Sequence, residues 1–174
     1  TLYGDTRTTA TGNSGANILE GIGSSAVNTL RGLAGNDTYR PGLEDIVDES
    51  AAGSSGSDTI LVSGYGTTSY SLGNANIKGD VENLTFQAGS SAVTGTLTGN
   101  ALANTITVLQ ARTNSAAMTL KGLAGNDIYV VDARQIVDES AAGSNGIDRV
   151  KVKETYNLSD TARVKGLVED IEWV

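Results

Sequence analysis

The sequence predicts an all-β fold of short strands and tight turns, and two patterns carry this prediction. Short β-branched segments recur about every ten residues, each bounded by Gly, Asn or Ser. No stretch of a dozen residues has a clear helical periodicity, although residues 159–174 are a weak helix candidate. The strand-like segments include 45–48, 58–63, 81–86, 92–98 and 104–109.

An internal duplication is the strongest organisational feature of the chain. Residues 30–58 and 120–148 align at an offset of 90 with 19 identities in 29 positions, including "GLAGND" and "IVDESAAGS" in both copies. Upstream, "TGNSGANI" faces "TGNALANT", and downstream "VENLTF" faces "VEDIEW". A fixed internal period of this kind is typical of stacked repeat architectures.

The duplication predicts how the chain is divided. Residues 11–97 form a first repeat unit and residues 98–174 a second, and residues 1–10 precede them as a junction strand or cap. Because residues 87–98 resemble a strand and not a linker, we expect the two units to stack as one continuous structural domain.

Acidic residues were kept in both copies where their neighbours changed. "RPGLED" at 40–45 became "VVDARQ", yet the four acids around it persist. These are Asp37, Asp48, Glu49 and Asp58, which reappear as Asp127, Asp138, Glu139 and Asp148. Either a recent duplication or a shared role of these carboxylates explains this pattern.

The composition excludes several classes of function. The chain has no His and no Cys, so it lacks ordinary zinc ligands and His- or Cys-based nucleophile systems, and we expect it not to be an enzyme. Its net charge of −8 argues against nucleic acid, and its longest apolar runs are too short for membrane insertion. Hard cations are the expected partners.

The turn "GLAGND" suggests which cation. Glycines allow a turn to aim backbone carbonyls at a common centre, and a terminal Asp adds a charged oxygen. Ca²⁺ accepts six to eight such oxygens, whereas Mg²⁺ demands a tighter octahedron. The alternative is a plain β-turn in which Asn and Asp cap their own backbone.

These residues resemble the RTX-type calcium-binding repeats, whose nonapeptide is G-G-x-G-x-D-x-U-x, with U a large apolar residue. Residues 32–40, "GLAGNDTYR", and 122–130, "GLAGNDIYV", fit this pattern except that Leu33 and Leu123 replace its second glycine. The following stretch, "IVDESAAGSxGxD", also looks like segments of large secreted bacterial RTX proteins. The likeness covers most of the chain after residue 11.

The resemblance implies a parallel β-roll or β-solenoid with Ca²⁺ between stacked turns. Neighbouring turns carry Asn17, Asn28 or Asn104 in place of the acid, so we expect about one Ca²⁺ per unit. The downstream acids Glu49 and Asp58, with their counterparts, could return to the turn and close the site. The alternative for each acid is a solvated strand end.

The candidate calcium ligands comprise turn residues, downstream acids and neighbouring Asn residues in each copy. They are Gly32, Ala34, Gly35, Asn36, Asp37, Glu49, Asp58 and Asn17 in the first, and Gly122, Ala124, Gly125, Asn126, Asp127, Glu139, Asp148 and Asn104 in the second.

Two further acids and the aromatic residues are placed outside the site. Strand alternation sends Asp48 to the face opposite Glu49, and Asp45 has Gln135 as its counterpart, so both acids are excluded. Core positions are predicted for the aromatic residues Tyr39, Tyr129, Phe86 and Trp173.

The expected function is that of a calcium-stabilised structural module of a secreted or cell-surface bacterial protein, as an adhesin, matrix, surface-layer or filament subunit. The secreted location is implied by the resemblance. Copies of the chain could also associate head to tail, because open solenoids expose strand edges at both ends. The alternative is a carbohydrate-binding or accessory module of a secreted polysaccharide-active enzyme.

Overall fold

A computed structural model describes residues 6–22, 25–109 and 117–174, and all regular structure in these segments is β. The predicted fold class, an all-β parallel β-solenoid of short strands, is confirmed. The strands are β1 (Thr9–Thr11), β2 (Ile18–Glu20), β3 (Thr29–Arg31), β4 (Thr38–Arg40), β5 (Ile46–Glu49), β6 (Thr59–Thr67), β7 (Tyr70–Ser71), β8 (Ile77–Gly79), β9 (Asn83–Thr98), β10 (Thr105–Leu109), β11 (Ala117–Lys121), β12 (Ile128–Val131), β13 (Ile136–Asp138), β14 (Arg149–Val152), β15 (Val164–Lys165) and β16 (Asp170–Trp173).

The helix candidate at 159–174 is wrong. This segment consists of turns followed by β15 and β16. Side chains of Asn157 and Asp160 accept hydrogen bonds from the backbone N–H groups of Ser159 and Ala162, which offers the backbone an alternative to a helix. Gly166 then adopts a left-handed φ of 80°, which an α-helix does not tolerate.

The described chain forms two compact units. Unit 1 comprises the described residues up to Val62 together with Asn74–Asn83, and unit 2 comprises Ser63–Gly73 and Leu84–Val174. The predicted repeat boundaries at 11–97 and 98–174, and the stacking of both repeats as one continuous domain, stay predictions. The expected N-terminal junction strand or cap at 1–10 falls partly on residues 1–5, outside the described residues.

Unit 1 contains two ladders of parallel strands. One ladder has the order β1-β3-β5-β8, and in the other β4 pairs with both β2 and β6. Successive strands along the chain alternate between the ladders from β1 to β6, so each full turn of the coil contains two strands. Apolar residues align across the rungs, as Leu30 with Val47 and Tyr39 with Ile60, and these four side chains are buried.

Unit 2 also has two ladders of parallel strands, and they are joined at β9, which is hydrogen-bonded to both β11 and β10. β9, β11, β13 and β15 form one parallel ladder, and β10, β12, β14 and β16 form the other. Inward columns of apolar side chains fill the space between the ladders, with Leu97, Leu120 and Val137 in register on one side. This alternation of buried and less buried residues is what a strand with one face on a core requires.

The aromatic predictions divide between the buried rungs and the last strand. Tyr39, Tyr129 and Phe86 are completely buried, as predicted. Trp173 is 65% exposed, so its predicted core position is wrong. It lies on β16, which pairs only with β14 among the described strands.

Candidate metal centre

Stacking of turns on one edge of unit 1 brings acids from successive rungs together. Asp37 ends the turn before β4, and Asp58 ends the turn before β6. Each carboxylate accepts a hydrogen bond from the backbone one rung earlier: Asn17 N–H donates to Asp37 Oδ1 at 2.7 Å, and Asp37 N–H donates to Asp58 Oδ1 at 2.8 Å. Glu82 continues the series, because its Oε2 accepts from Asp58 N–H at 2.8 Å.

Unit 2 contains the same series of carboxylates. Asn104 N–H donates to Asp127 Oδ1 at 2.7 Å, and Asp127 N–H donates to Asp148 Oδ1 at 2.9 Å. Asp148 N–H then donates to Glu169 Oε2 at 2.6 Å. The acid spacing in the sequence is therefore a structural period, in which one carboxylate per turn reaches back to the preceding turn.

A glutamate at or just after the intervening strand completes a three-carboxylate cluster in each unit. Ligand oxygens of Asp37, Glu49 and Asp58 all lie within 4.8 Å of one another, and we call this group cluster 1. The same holds for Asp127, Glu139 and Asp148, which form cluster 2. All six residues are at least nine-tenths buried.

Buried oxygens without a hydrogen-bond partner lie in both clusters. In cluster 1 these are Asp37 Oδ2 and Glu49 Oε1, and in cluster 2 Asp127 Oδ2 and Glu139 Oε2. A buried carboxylate oxygen left without a donor costs free energy, so an unfilled acceptor is unusual in a folded core. Each cluster therefore has two buried acceptor oxygens that a proton or a cation could fill.

A tyrosine stands beside each cluster. The hydroxyl oxygens of Tyr39 and Tyr129 accept hydrogen bonds from the backbone N–H groups of Gly32 and Gly122, at 2.6 and 2.7 Å. The Tyr129 hydroxyl itself donates to Glu139 Oε1. These contacts fix the inner wall of the cluster against the apolar core.

Burial and mutual repulsion raise the pKa of the clustered glutamates. For Glu49, desolvation and then the charges of Asp58 and Asp37 raise the pKa from 4.5 to about 7. For Glu139, desolvation and then the charges of Asp148 and Asp127 also raise the pKa to about 7. Each glutamate therefore takes up a proton as the pH falls through about 7, unless a cation occupies the cluster.

The pKa values of Asp58, Asp127 and Asp148 shift in the same direction. Burial raises the pKa of Asp127 to about 6, although the N–H of Asn104 opposes the shift. Burial likewise raises the pKa of Asp58 and Asp148, against the opposing N–H groups of Asp37 and Asp127.

Asp48 and its counterpart Asp138 lie outside the clusters, in agreement with the strand alternation. Asp48 accepts from the Ser50 hydroxyl and from Arg31, at 2.6 and 2.9 Å, and these contacts lower its pKa. Burial pushes the pKa of Asp138 upward, but hydrogen bonds from Ser140 and the Lys121 charge leave it lowered. Both acids are stabilised in the charged form by partners of their own.

Asp45, which the sequence excluded, is also absent from the clusters. It is buried, with 6% of its surface exposed, and both of its oxygens are occupied. Asn28 N–H donates to Oδ1 at 2.7 Å and Gly42 N–H donates to Oδ2 at 2.8 Å. This acid holds the turns on its edge of the coil together.

The predicted backbone ligands lie in the turns that carry the clusters, and their backbone groups join neighbouring turns to each other. Ala34 and Ala124 form bridges to Ser55 and Asn145 of the next turn. Gly35 and Gly125, both with left-handed φ, donate their N–H groups to these same residues, at 2.9 and 3.0 Å. The backbones of Gly32 and Gly122 lie against the clusters, because a Cβ added to either glycine would collide with Asp37 Oδ2 or Asp127 Oδ2.

The predicted asparagine ligands serve as turn caps. Asn17 and Asn104 accept from the N–H groups of Asn13 and Asn100 through Oδ1, both at 2.8 Å, while their own N–H groups contact the cluster aspartates. Asn36 and Asn126 accept from the next turn, at Ser57 N–H and Ile147 N–H. The clusters themselves comprise the six acids among the candidates.

Sequence reasoning missed one turn and one acid in each copy. Residues 53–61, "GSSGSDTIL", and 143–151, "GSNGIDRVK", match the nonapeptide apart from its second glycine, so Asp58 and Asp148 end turns of the same kind as "GLAGND". Glu82 and Glu169, in the repeated "VEN" and "VED", cap the series. Both signals were present in the sequence.

Leu33 and Leu123 adopt a glycine-like backbone. Their φ angles are 75° and 78°, in the left-handed region that is unfavourable for a bulky side chain. They occupy the position where the nonapeptide has its second glycine.

Comparisons with protein-family models, with curated proteins and with solved structures gave no match. Within residues 6–22, 25–109 and 117–174, no helix is long and apolar enough to cross a membrane.

Proposed function

We propose that this chain is a calcium-binding structural module in which one Ca²⁺ occupies each three-carboxylate cluster. The observation that carries the proposal is the pair of buried clusters with unpartnered carboxylate oxygens. Oxygens within 4.8 Å of one another can share an ion whose bonds are about 2.3–2.6 Å long, as those of Ca²⁺ are. With neither His nor Cys in the chain, a hard cation suits the donor set.

Electrostatics supports a structural role for the ion. Three carboxylates in a buried cluster, in a chain of net charge −8, repel one another unless a cation or a proton intervenes. An ion that joins Asp37, Glu49 and Asp58 would tie two successive turns to the strand between them. Calcium would then act on the stability of the solenoid without any catalytic step.

The nonapeptide resemblance supports the same conclusion and extends it to location. Extracellular calcium modules bind with dissociation constants of about 10⁻⁴ to 10⁻³ M. A hundredfold excess of calcium over such a constant stabilises a fold by about 2.7 kcal/mol per site, and cytosolic calcium provides almost none of this. We therefore propose a secreted or cell-surface protein, of adhesin, matrix, surface-layer or filament type.

Thermal unfolding followed by circular dichroism tests this function. Millimolar calcium should raise the midpoint temperature of the chelator-treated protein, and equal magnesium should raise it less, because Mg²⁺ demands a tighter, more hydrated octahedron. An unchanged midpoint up to about 10 mM calcium would reject the calcium module.

One observation favours a second function. Trp173 is 65% exposed on β16, and an exposed tryptophan face is a common platform for a sugar ring. A carbohydrate-binding role would appear in a calorimetric titration of the protein with a polysaccharide, as binding that Trp173→Ala abolishes. Calcium dependence of folding does not distinguish the two roles, but this titration does.

A further inference from the structure

We infer that the two clusters load in a fixed order, cluster 1 before cluster 2, because an aspartate stands at the mouth of cluster 1 where a leucine stands at the mouth of cluster 2. This inference rests on the proposed calcium binding. It assigns Asp80 and Leu167 as the residues that set the difference in affinity.

The two mouths are built on the same backbone frame. Gly79 and Gly166 have φ angles of 79° and 80°, and a Cβ on either would collide with the main chain of Glu49 or Glu139. Glu82 and Glu169, two residues after Asp80 and Leu167, each accept a hydrogen bond from the backbone N–H of the cluster aspartate, Asp58 or Asp148. Asp80 and Leu167 are therefore structurally equivalent.

A cavity opens beside each cluster, and it is lined by Asp80 at cluster 1 and by Leu167 at cluster 2. The cavity at cluster 1 has a volume of about 220 Å³ and is lined by Glu49, Asp58, Asp80 and Glu82, among others. The cavity at cluster 2 has about 160 Å³ and is lined by Glu139, Asp148, Leu167 and Glu169. A cation approaching through the first cavity meets one more carboxylate than one approaching through the second.

The neighbouring surface has the same asymmetry. Ile147, 67% exposed, precedes Asp148, whereas the equivalent residue before Asp58 is the polar Ser57. Leu167 is 71% exposed. At cluster 2 an exposed leucine therefore lines the cavity and an exposed isoleucine lies next to Asp148 in the chain, where cluster 1 has an aspartate and a serine.

The inner parts of the clusters share most of their contacts but differ at the Tyr129 hydroxyl, which donates to Glu139 in cluster 2. Exchange of residues 80 and 167 leaves that contact unchanged, so it separates the two explanations. Each has two unpartnered buried oxygens, and each aspartate accepts one backbone hydrogen bond from the preceding rung. Lys78 and Lys165 occupy equivalent positions, so their positive charges do not contribute to a difference between the clusters. Arg149, next to Asp148, is paired with Asp170 and Glu172, so its charge is largely neutralised.

The expected effect follows from one additional unit charge. Ligand charge tunes calcium affinity over orders of magnitude, and an exposed carboxylate at the rim contributes a small part of that range, about three- to tenfold. Because Asp80 is exposed, salt should screen its contribution, and the ratio of the two affinities should shrink as ionic strength rises.

Calorimetric calcium titrations of single-cluster variants test this inference. Asp127→Asn leaves cluster 1 intact and Asp37→Asn leaves cluster 2 intact, and each asparagine keeps an Oδ1 for its backbone hydrogen bond. Cluster 1 should bind about three- to tenfold more tightly at low salt. Asp80→Leu in the first background and Leu167→Asp in the second should reverse the order.

A matched control removes the same charge from the opposite edge of unit 1. Glu44→Leu, at an exposed position beside Asp45, should leave the affinity of cluster 1 unchanged. Equal affinities of the two clusters, or a difference that the exchange does not move, overturn the inference while calcium binding stands. Absence of binding to either cluster overturns the proposed function as well.

Discussion

Two buried aspartates on different turns of unit 1, Asp37 and Asp45, have opposite relations to their surroundings. Both oxygens of Asp45 accept backbone N–H groups, whereas Asp37 uses only Oδ1 and leaves Oδ2 unpartnered among other carboxylates. In unit 2 the counterpart of Asp45 is Gln135, whose Oε1 accepts Asp132 N–H at 2.9 Å, and the counterpart of Asp37 is again an aspartate.

The difference separates a turn cap from a candidate ligand. A carboxylate whose two oxygens both accept backbone N–H groups, as in Asp45, already has its acceptors filled and needs no ion. A carboxylate with an unpartnered buried oxygen, as in Asp37, needs a further group at that oxygen, either a proton or a cation. The clusters are therefore distinguished from other buried acids by their unpartnered oxygens, and not only by their negative charge.

The pH dependence of the calcium-free protein should show the largest effect. The pKa of Glu49 and of Glu139 is raised to about 7, so protonation stabilises the fold fully below about 4.5 and this stability is lost as pH rises through 7. The loss is on the order of 3 kcal/mol per cluster. Denaturant titrations in chelator between pH 5 and 8 should therefore show falling stability, which millimolar calcium offsets.

Between pH 5 and 8 the acids with lowered pKa values do not contribute to the change in stability. The lowered pKa values of Asp48 and Asp138 affect stability only in more acidic solution, below the usual aspartate range. Stability in chelator that is constant or rising between pH 5 and 7 would contradict the charged state assigned to the clusters.

Replacing the central glutamate should have the next largest effect and should separate the empty from the loaded state. Glu49→Gln imitates the protonated carboxyl, so at pH 8 it should stabilise the calcium-free protein by about 2–3 kcal/mol. The same variant should lose calcium binding at cluster 1 and keep it at cluster 2. Denaturant titration in chelator and in calcium measures both, and Glu139→Gln provides the mirror experiment.

Asp→Asn substitutions at Asp37 and Asp45 should have smaller effects on stability, and the two effects should differ in sign. Asp37→Asn keeps the Oδ1 acceptor and places a donor among the carboxylates, so in chelator it should be neutral or stabilising. Asp45→Asn turns a donor toward Gly42 N–H and should cost about 1–2 kcal/mol. Only Asp37→Asn should reduce calcium binding. If both variants behave alike in calcium, the distinction between cap and ligand fails.

The sequence predicted the fold and the cluster acids because both follow from local periodicity. Tight turns ending in Asn or Asp set the rung length, and an acid at a fixed place in each rung must meet the acid of the next. Glu49 and Asp58 were predicted because their spacing after Asp37 lets the chain return both carboxylates to the turn, and strand alternation placed Asp48 on the opposite face.

Other features depend on neighbours that no local pattern specifies. Trp173 is exposed and Phe86 is buried, although they hold the same place in "VEDIEW" and "VENLTF", so the local pattern does not decide burial at this position. The turn residues Gly32 and Gly35 were predicted as ligands from their conformational freedom. Their hydrogen bonds to Tyr39 and to the adjacent turn depend on how the rungs stack.

The most direct test is the number of calcium ions bound by the chelated chain, measured by calorimetric titration of the wild-type protein and of Asp37→Asn, Asp127→Asn and the double variant. The clusters predict two ions for the wild-type protein, one for each single variant and none for the double variant, with protons released on binding at pH 6–7. Wild-type protein that binds no calcium up to about 10 mM, or a double variant that still binds two ions, would contradict the account.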